Sequence, residues 1–65
     1  MKQAEFWAAE REQIEKYIAQ GHNLTRIARA YDVSMDEMMA VFHGLGLKTL
    51  AQQLREIRAK EVTNG

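Results

Sequence analysis

A chain of 65 residues has room for one small domain and no room for a two-domain enzyme. It has no cysteine, which removes disulfide frameworks and thiolate zinc sites and fits a reducing compartment. Nine Lys and Arg balance nine Asp and Glu for a formal net charge of zero, whereas domains that bind phosphate backbones are usually basic. No apolar run approaches the roughly 18 residues that a bilayer span requires, and the opening Met1-Lys2-Gln3-Ala4-Glu5 lacks the apolar stretch of a signal peptide. A cytoplasmic protein without a membrane contact is the expectation.

The absence of proline lets helices run until a glycine or a cap stops them, and four are expected. The first covers about 3–20. It places Phe6 or Trp7 with Glu10, Ile14, Tyr17 and Ile18 near one stripe, and Gly21 supplies a left-handed stop. Trp7 is expected in the core, because an indole must bury a large area in so small a domain. His22, just before a cap, is expected to be solvated.

Asn23 suits the N-cap of a second helix over 24–31, since its short amide can accept from the first unpaired backbone N–H groups. Asp32 occupies the corner that follows. Glycine is common at such a corner because it reaches positive φ without a Cβ penalty, and Asp is among the few other residues that tolerate that conformation. Ser34-Met35-Asp36-Glu37 forms a capping box, so a third helix is expected over 35–43. Met38, Val41, Phe42 and Leu45 are its inward side, and Gly44 or Gly46 its end. A second box, Thr49-Leu50-Ala51-Gln52, opens a fourth helix over about 50–60. Its stripe of Leu47, Leu50, Leu54 and Ile57 reads as a packing or dimer seam.

Two short apolar-periodic segments meeting at a tight corner, from Asn23 through Ser34 to Leu45, read as a helix-turn-helix. The expected architecture is all-α, with residues 1–65 forming one trihelical helix-turn-helix domain that carries an additional C-terminal helix. Trp7-x-x-Glu10-Arg11, Gly21, Ile27-Ala28, Val33-Ser34 and His43-x-Leu45-Gly46-Leu47 resemble the N-terminal DNA-binding domain of GcrA-type cell-cycle regulators. More loosely, they resemble homeodomain-like helix-turn-helix domains of phage and transposon proteins. The resemblance covers about residues 7–47 and leaves the fourth helix outside it. It implies a trihelical domain that uses its third helix on DNA.

In a docked domain of this kind the outward positions of the third helix are Met35, Asp36, Met39, Ala40 and His43. None of them is Arg, Lys, Asn or Gln, so the strongest pairings with guanine and adenine are missing. What remains is His43, an Asp36 carboxylate accepting from cytosine, and methyl contacts from Met35, Met39 or Ala40. Thr25, Arg26 and Arg29 on the second helix, and Lys48 after the third, are the candidate phosphate contacts. Asp36 and Glu37 also have a plain use in the first turn, where acidic charge is worth roughly 0.3–1 kcal/mol against the helix dipole. Asp36 would repel phosphates as well.

The reading that follows is a bacterial or phage-like transcription regulator that binds double-stranded DNA as a homodimer. Leu50, Leu54 and Ile57 form the dimer interface, and two weak half-sites add by effective concentration. The alternative uses the same fold as a protein-interaction module, such as a phage-encoded inhibitor that grips a host or partner regulatory protein. Met35 and Met39 then form a soft apolar patch beside Asp36. An enzyme is not expected, nor a cofactor or metal. The two histidines are distant in sequence, the acidic residues near them have structural uses, and motifs for nucleophilic or phosphoryl chemistry are missing.

Overall fold

The computed structural model describes residues 3–64, with side chains through Lys60. Met1, Lys2 and Gly65, the ends of the expected domain, lie outside the described residues. Among the described residues there are four helices and no strand: α1 (Ala4–Ala19), α2 (Leu24–Ala30), α3 (Met35–Leu45) and α4 (Leu50–Asn64).

The first three helices end by the same device, in which a residue of left-handed conformation lets two backbone N–H groups turn back onto the last carbonyls. At the end of α1, Gly21 has φ +87° and donates to the Ile18 carbonyl at 2.9 Å, while His22 donates to Tyr17 at 3.1 Å. After α2 the left-handed residue is Asp32 at φ 56°, with its N–H on Arg29 (3.1 Å) and that of Val33 on Ala28 (3.0 Å). Gly46, at φ 69°, ends α3, and Leu47 donates to Phe42 at 2.8 Å. The residue following the turn is apolar at two of these corners, and both Val33 and Leu47 fold back onto the core.

The starts are set by side chains. Asn23 Oδ1 accepts from the Arg26 N–H at 2.9 Å, and Ser34 Oγ from the Glu37 N–H at 3.1 Å. Thr49 and Gln52 close a reciprocal pair: the Thr49 N–H donates to Gln52 Oε1 at 2.9 Å and the Gln52 N–H to Thr49 Oγ1 at 3.3 Å. Each pair satisfies backbone donors that a helix end leaves without intrahelical partners.

Ile14, Ile27 and Met38 are completely buried and come from three different helices. Around them sit Trp7, Ile18, Ala28, Val41 and Phe42. Full burial of a side chain of this size is worth about 1.5–3 kcal/mol, so one residue from each of α1, α2 and α3 ties these helices together. α4 adds nothing comparable, because Leu50, Leu54 and Ile57 are 41, 57 and 53% exposed.

Several expectations need correction. α1 is one residue shorter at each end than 3–20, and α2 stops at Ala30 rather than 31. α3 continues through Gly44 to Leu45, beyond the expected 43, because the left-handed residue is Gly46. α4 continues to Asn64 rather than 60. Of Phe6 and Trp7, Trp7 is the core residue. Glu10 is half-buried because its Oε1 accepts from the Tyr31 hydroxyl at 3.0 Å. His22 is half-buried rather than solvated, packed edge-on against Tyr17 with ring centroids 5.5 Å apart. Leu47 belongs to the body and not to the stripe of α4.

Candidate nucleic-acid interface

The corner between α2 and α3 fixes how α3 is presented. Asp32 reverses the chain, Val33 packs against the core, and Ser34 caps the next helix at once, so the link leaves little freedom between the two helices. On α3, Met38, Val41 and Phe42 point inward. The 3.6-residue period then sends Met35, Asp36, Met39, Ala40 and His43 outward, and all five are exposed, Met39 at 54%.

These five form two adjacent rows along α3. Met35, Met39 and His43 follow one another at four-residue steps, and Asp36 and Ala40 lie on the neighbouring row. Thr25, Arg26 and Arg29 are exposed on α2, the helix joined to α3 by the corner. Lys48 is exposed after α3, but its ammonium pairs with Glu56 across the start of α4. A phosphate would have to compete with that carboxylate, although an exposed pair of this kind is worth only about 0–1 kcal/mol.

Behind this face an aromatic cluster joins the corner to α1. Tyr31, the last residue before Asp32, meets Trp7 at 5.2 Å, Phe6 at 6.2 Å and Tyr17 at 6.2 Å between ring centroids, each close to edge-on. Such pairs add about 0.5–1.5 kcal/mol beyond area burial. Burial first, then the hydrogen bond to Glu10 and the charges of Glu10 and Tyr17, push the Tyr31 phenol well above its usual range and keep it neutral. The corner is thereby fastened to α1 by rings and by one buried-side hydrogen bond.

A second feature of α3 is not evident from its helical period. On the side turned toward the start of α1, Ala4 and Trp7 with Ala40, Val41, Gly44 and Leu45 line an open apolar groove of about 520 Å³, with Asp36 at its margin. Its sequence signal is the row Asp36, Ala40, Gly44, where small residues at four-residue steps leave a helix flank with no bulk. Among the described residues no group of three or more His, Cys, Asp or Glu is placed to hold a metal ion, and no helix is long and apolar enough to cross a membrane.

No family model matches the chain, and neither a curated protein nor a solved structure shows significant similarity to it.

Proposed function

We propose that this chain is a small DNA-binding helix-turn-helix transcription regulator that sets α3 in the major groove and works as a homodimer. The observation that carries the reading is the α2–α3 corner, where a left-handed Asp32, an inward Val33 and a capping Ser34 hold a short helix against a second helix with an open face. Thr25, Arg26 and Arg29 supply phosphate contacts from α2, and Lys48 adds one once released from Glu56. His43 and the Asp36 carboxylate are the polar groups available to base edges, while Met35, Met39 and Ala40 offer apolar contact to thymine methyls.

Zero net charge and few phosphate contacts make binding by one protomer weak. Pairing two protomers through the exposed Leu50, Leu54 and Ile57 of α4 makes the second half-site contact intramolecular. The test is fluorescence anisotropy on duplex DNA across a salt series. Binding should weaken steeply with salt, and Arg26→Ala and Arg29→Ala should each lower the logarithmic salt slope by about one.

One observation favours a second reading. Met35 and Met39 are 39 and 54% exposed, one turn apart, and form an adaptable apolar patch of a kind used to grip proteins. In that case the wild type shows no salt-dependent DNA binding and is indifferent to the loss of Arg26 or Arg29, whereas Met39→Ala abolishes capture of the partner.

A further inference from the structure

Each protomer carries two apolar surfaces that it does not cover itself. One is the groove between α1 and α3 floored by Trp7, Val41 and Leu45. The other is the stripe of Leu50, Leu54 and Ile57 along α4. The protomer does not bring them together: no residue of α4 lines the groove, and the stripe is exposed. The start of α4 shares a cleft with Glu15, Ile18 and Ala19 at the far end of α1, whereas the groove reaches α1 at Ala4 and Trp7. At a rise of about 1.5 Å per residue those two ends of α1 are roughly 20 Å apart.

We propose that the groove receives α4 of a second copy of this chain, reciprocally, so that each protomer seats the other's C-terminal helix. This rests on the self-association included in the reading above and specifies its geometry. Length fits: the stripe from Leu50 to Ile57 and the groove from Asp36 to Gly44 each extend about 10–12 Å along a helix. Shape fits as well, because Ala4, Ala40 and Gly44 allow a second helix to approach closely. Charge fixes the direction. Arg58 and Lys60 flank the stripe at its C-terminal end, and Asp36 stands at the N-terminal end of the groove, so α4 lies antiparallel to α3 with Arg58 beside the partner's Asp36.

A direct seam between two α4 helices is the poorer arrangement. It offers barely two turns of apolar contact, too short for a coiled coil to hold alone, and a parallel pairing crowds Arg58 and Lys60 of both chains at one end. Docking into the groove also removes an electrostatic obstacle. Docking takes Asp36 and Ala40 out of the base-contacting set given above. An Asp36 paired with an arginine from the other copy no longer faces DNA phosphate as an uncompensated carboxylate, and base contact is left to the Met35, Met39 and His43 row on the neighbouring face of α3, outside the groove.

Gly44 provides the decisive variant. It lies inside α3 at ordinary helical φ, and a Cβ built there meets nothing within 4 Å, so Gly44→Leu keeps the fold while filling the groove. Sedimentation velocity of the full chain should show a wild-type dimer, with dissociation raised at least about tenfold by Gly44→Leu at undiminished helicity. Asp36→Arg and Arg58→Asp should each weaken the dimer, and the two together should restore it. A wild type that stays monomeric at high micromolar concentration overturns the proposal. So does a dimer that Leu54→Glu dissociates but Gly44→Leu and Asp36→Arg leave intact, which would be the α4–α4 seam. Salt-dependent DNA binding by a monomeric wild type would refute the docking and the homodimer but leave DNA binding standing, and a groove-dependent dimer that ignores DNA would refute only the regulator reading.

Discussion

α4 and the three helices before it are equally regular, yet they owe their shape to different things. In the body, Ile14, Ile27 and Met38 meet at the centre, and every corner is closed by a left-handed residue and a cap, so local and tertiary preferences agree. In α4 the local signals are as clear: a reciprocal cap at Thr49 and Gln52, the Lys48–Glu56 pair, and the Gln53 amide on the Lys48 carbonyl at 2.9 Å. The tertiary reward is missing within the protomer, since every described side chain from Leu50 to Lys60 is exposed. A helix of this length is marginal in water on propensity alone. The contrast locates the unmet need of the molecule in α4 and marks it as the part that reports on association.

The sharpest way to test that contrast is to remove a side chain from each region. Met38→Ala should cost about 2–5 kcal/mol in chemical denaturation, enough to unfold much of the population of a domain this small. Leu54→Ala, at concentrations low enough to keep protomers apart, should change stability by less than about 0.5 kcal/mol. Equal losses from the two changes would mean that α4 packs on its own body.

How much of this was readable beforehand follows the same division. The caps at Asn23, Ser34 and Thr49 and the stop at Gly21 were legible because each is decided within four residues of chain. The inward identity of Ile14, Ile27 and Met38 followed from helical period, and that of Val33 from its place as the apolar residue just after the corner. The choice between Gly44 and Gly46, and between Phe6 and Trp7, depends on which residue the core reaches, and a periodic pattern leaves neighbours equivalent. The half-burial of Glu10 required knowing that Tyr31, 21 positions later, would bring a hydroxyl to it. Of the candidate site, the outward rows of α3 were readable as positions. The groove beside them was not, because it is made by what Ala40 and Gly44 lack and by a Trp7 from another helix.

A smaller effect should separate the corners from the core. Ser34→Ala and Asn23→Ala each remove a side-chain acceptor from a helix start and should cost about 1 kcal/mol. If the corner holds α3 as a unit with α2, hydrogen exchange in Ser34→Ala should quicken at the Glu37 amide and its neighbours while the amides of α4 exchange as before. Uniform quickening along the whole chain would show that α4 is coupled to the corner.

Within the body, the smallest change at neutral pH should come from Tyr31, and its value lies in its pH dependence. Losing one half-buried hydrogen bond to Glu10 by Tyr31→Phe should cost about 0.5 kcal/mol near pH 7. Burial, the Glu10 hydrogen bond and the neighbouring charges hold the folded-state pKa of this phenol above its ordinary value of 10.0. A raised folded pKa means that the unfolded chain gives up the proton first. The stability tied to the neutral phenol is therefore fully present below pH 10 and is lost as pH rises from there toward the folded value. Urea denaturation of wild type and Tyr31→Phe on both sides of that pH should show the wild type losing stability on the alkaline side faster than the variant. Parallel curves would mean that the ring is not held between α1 and the corner.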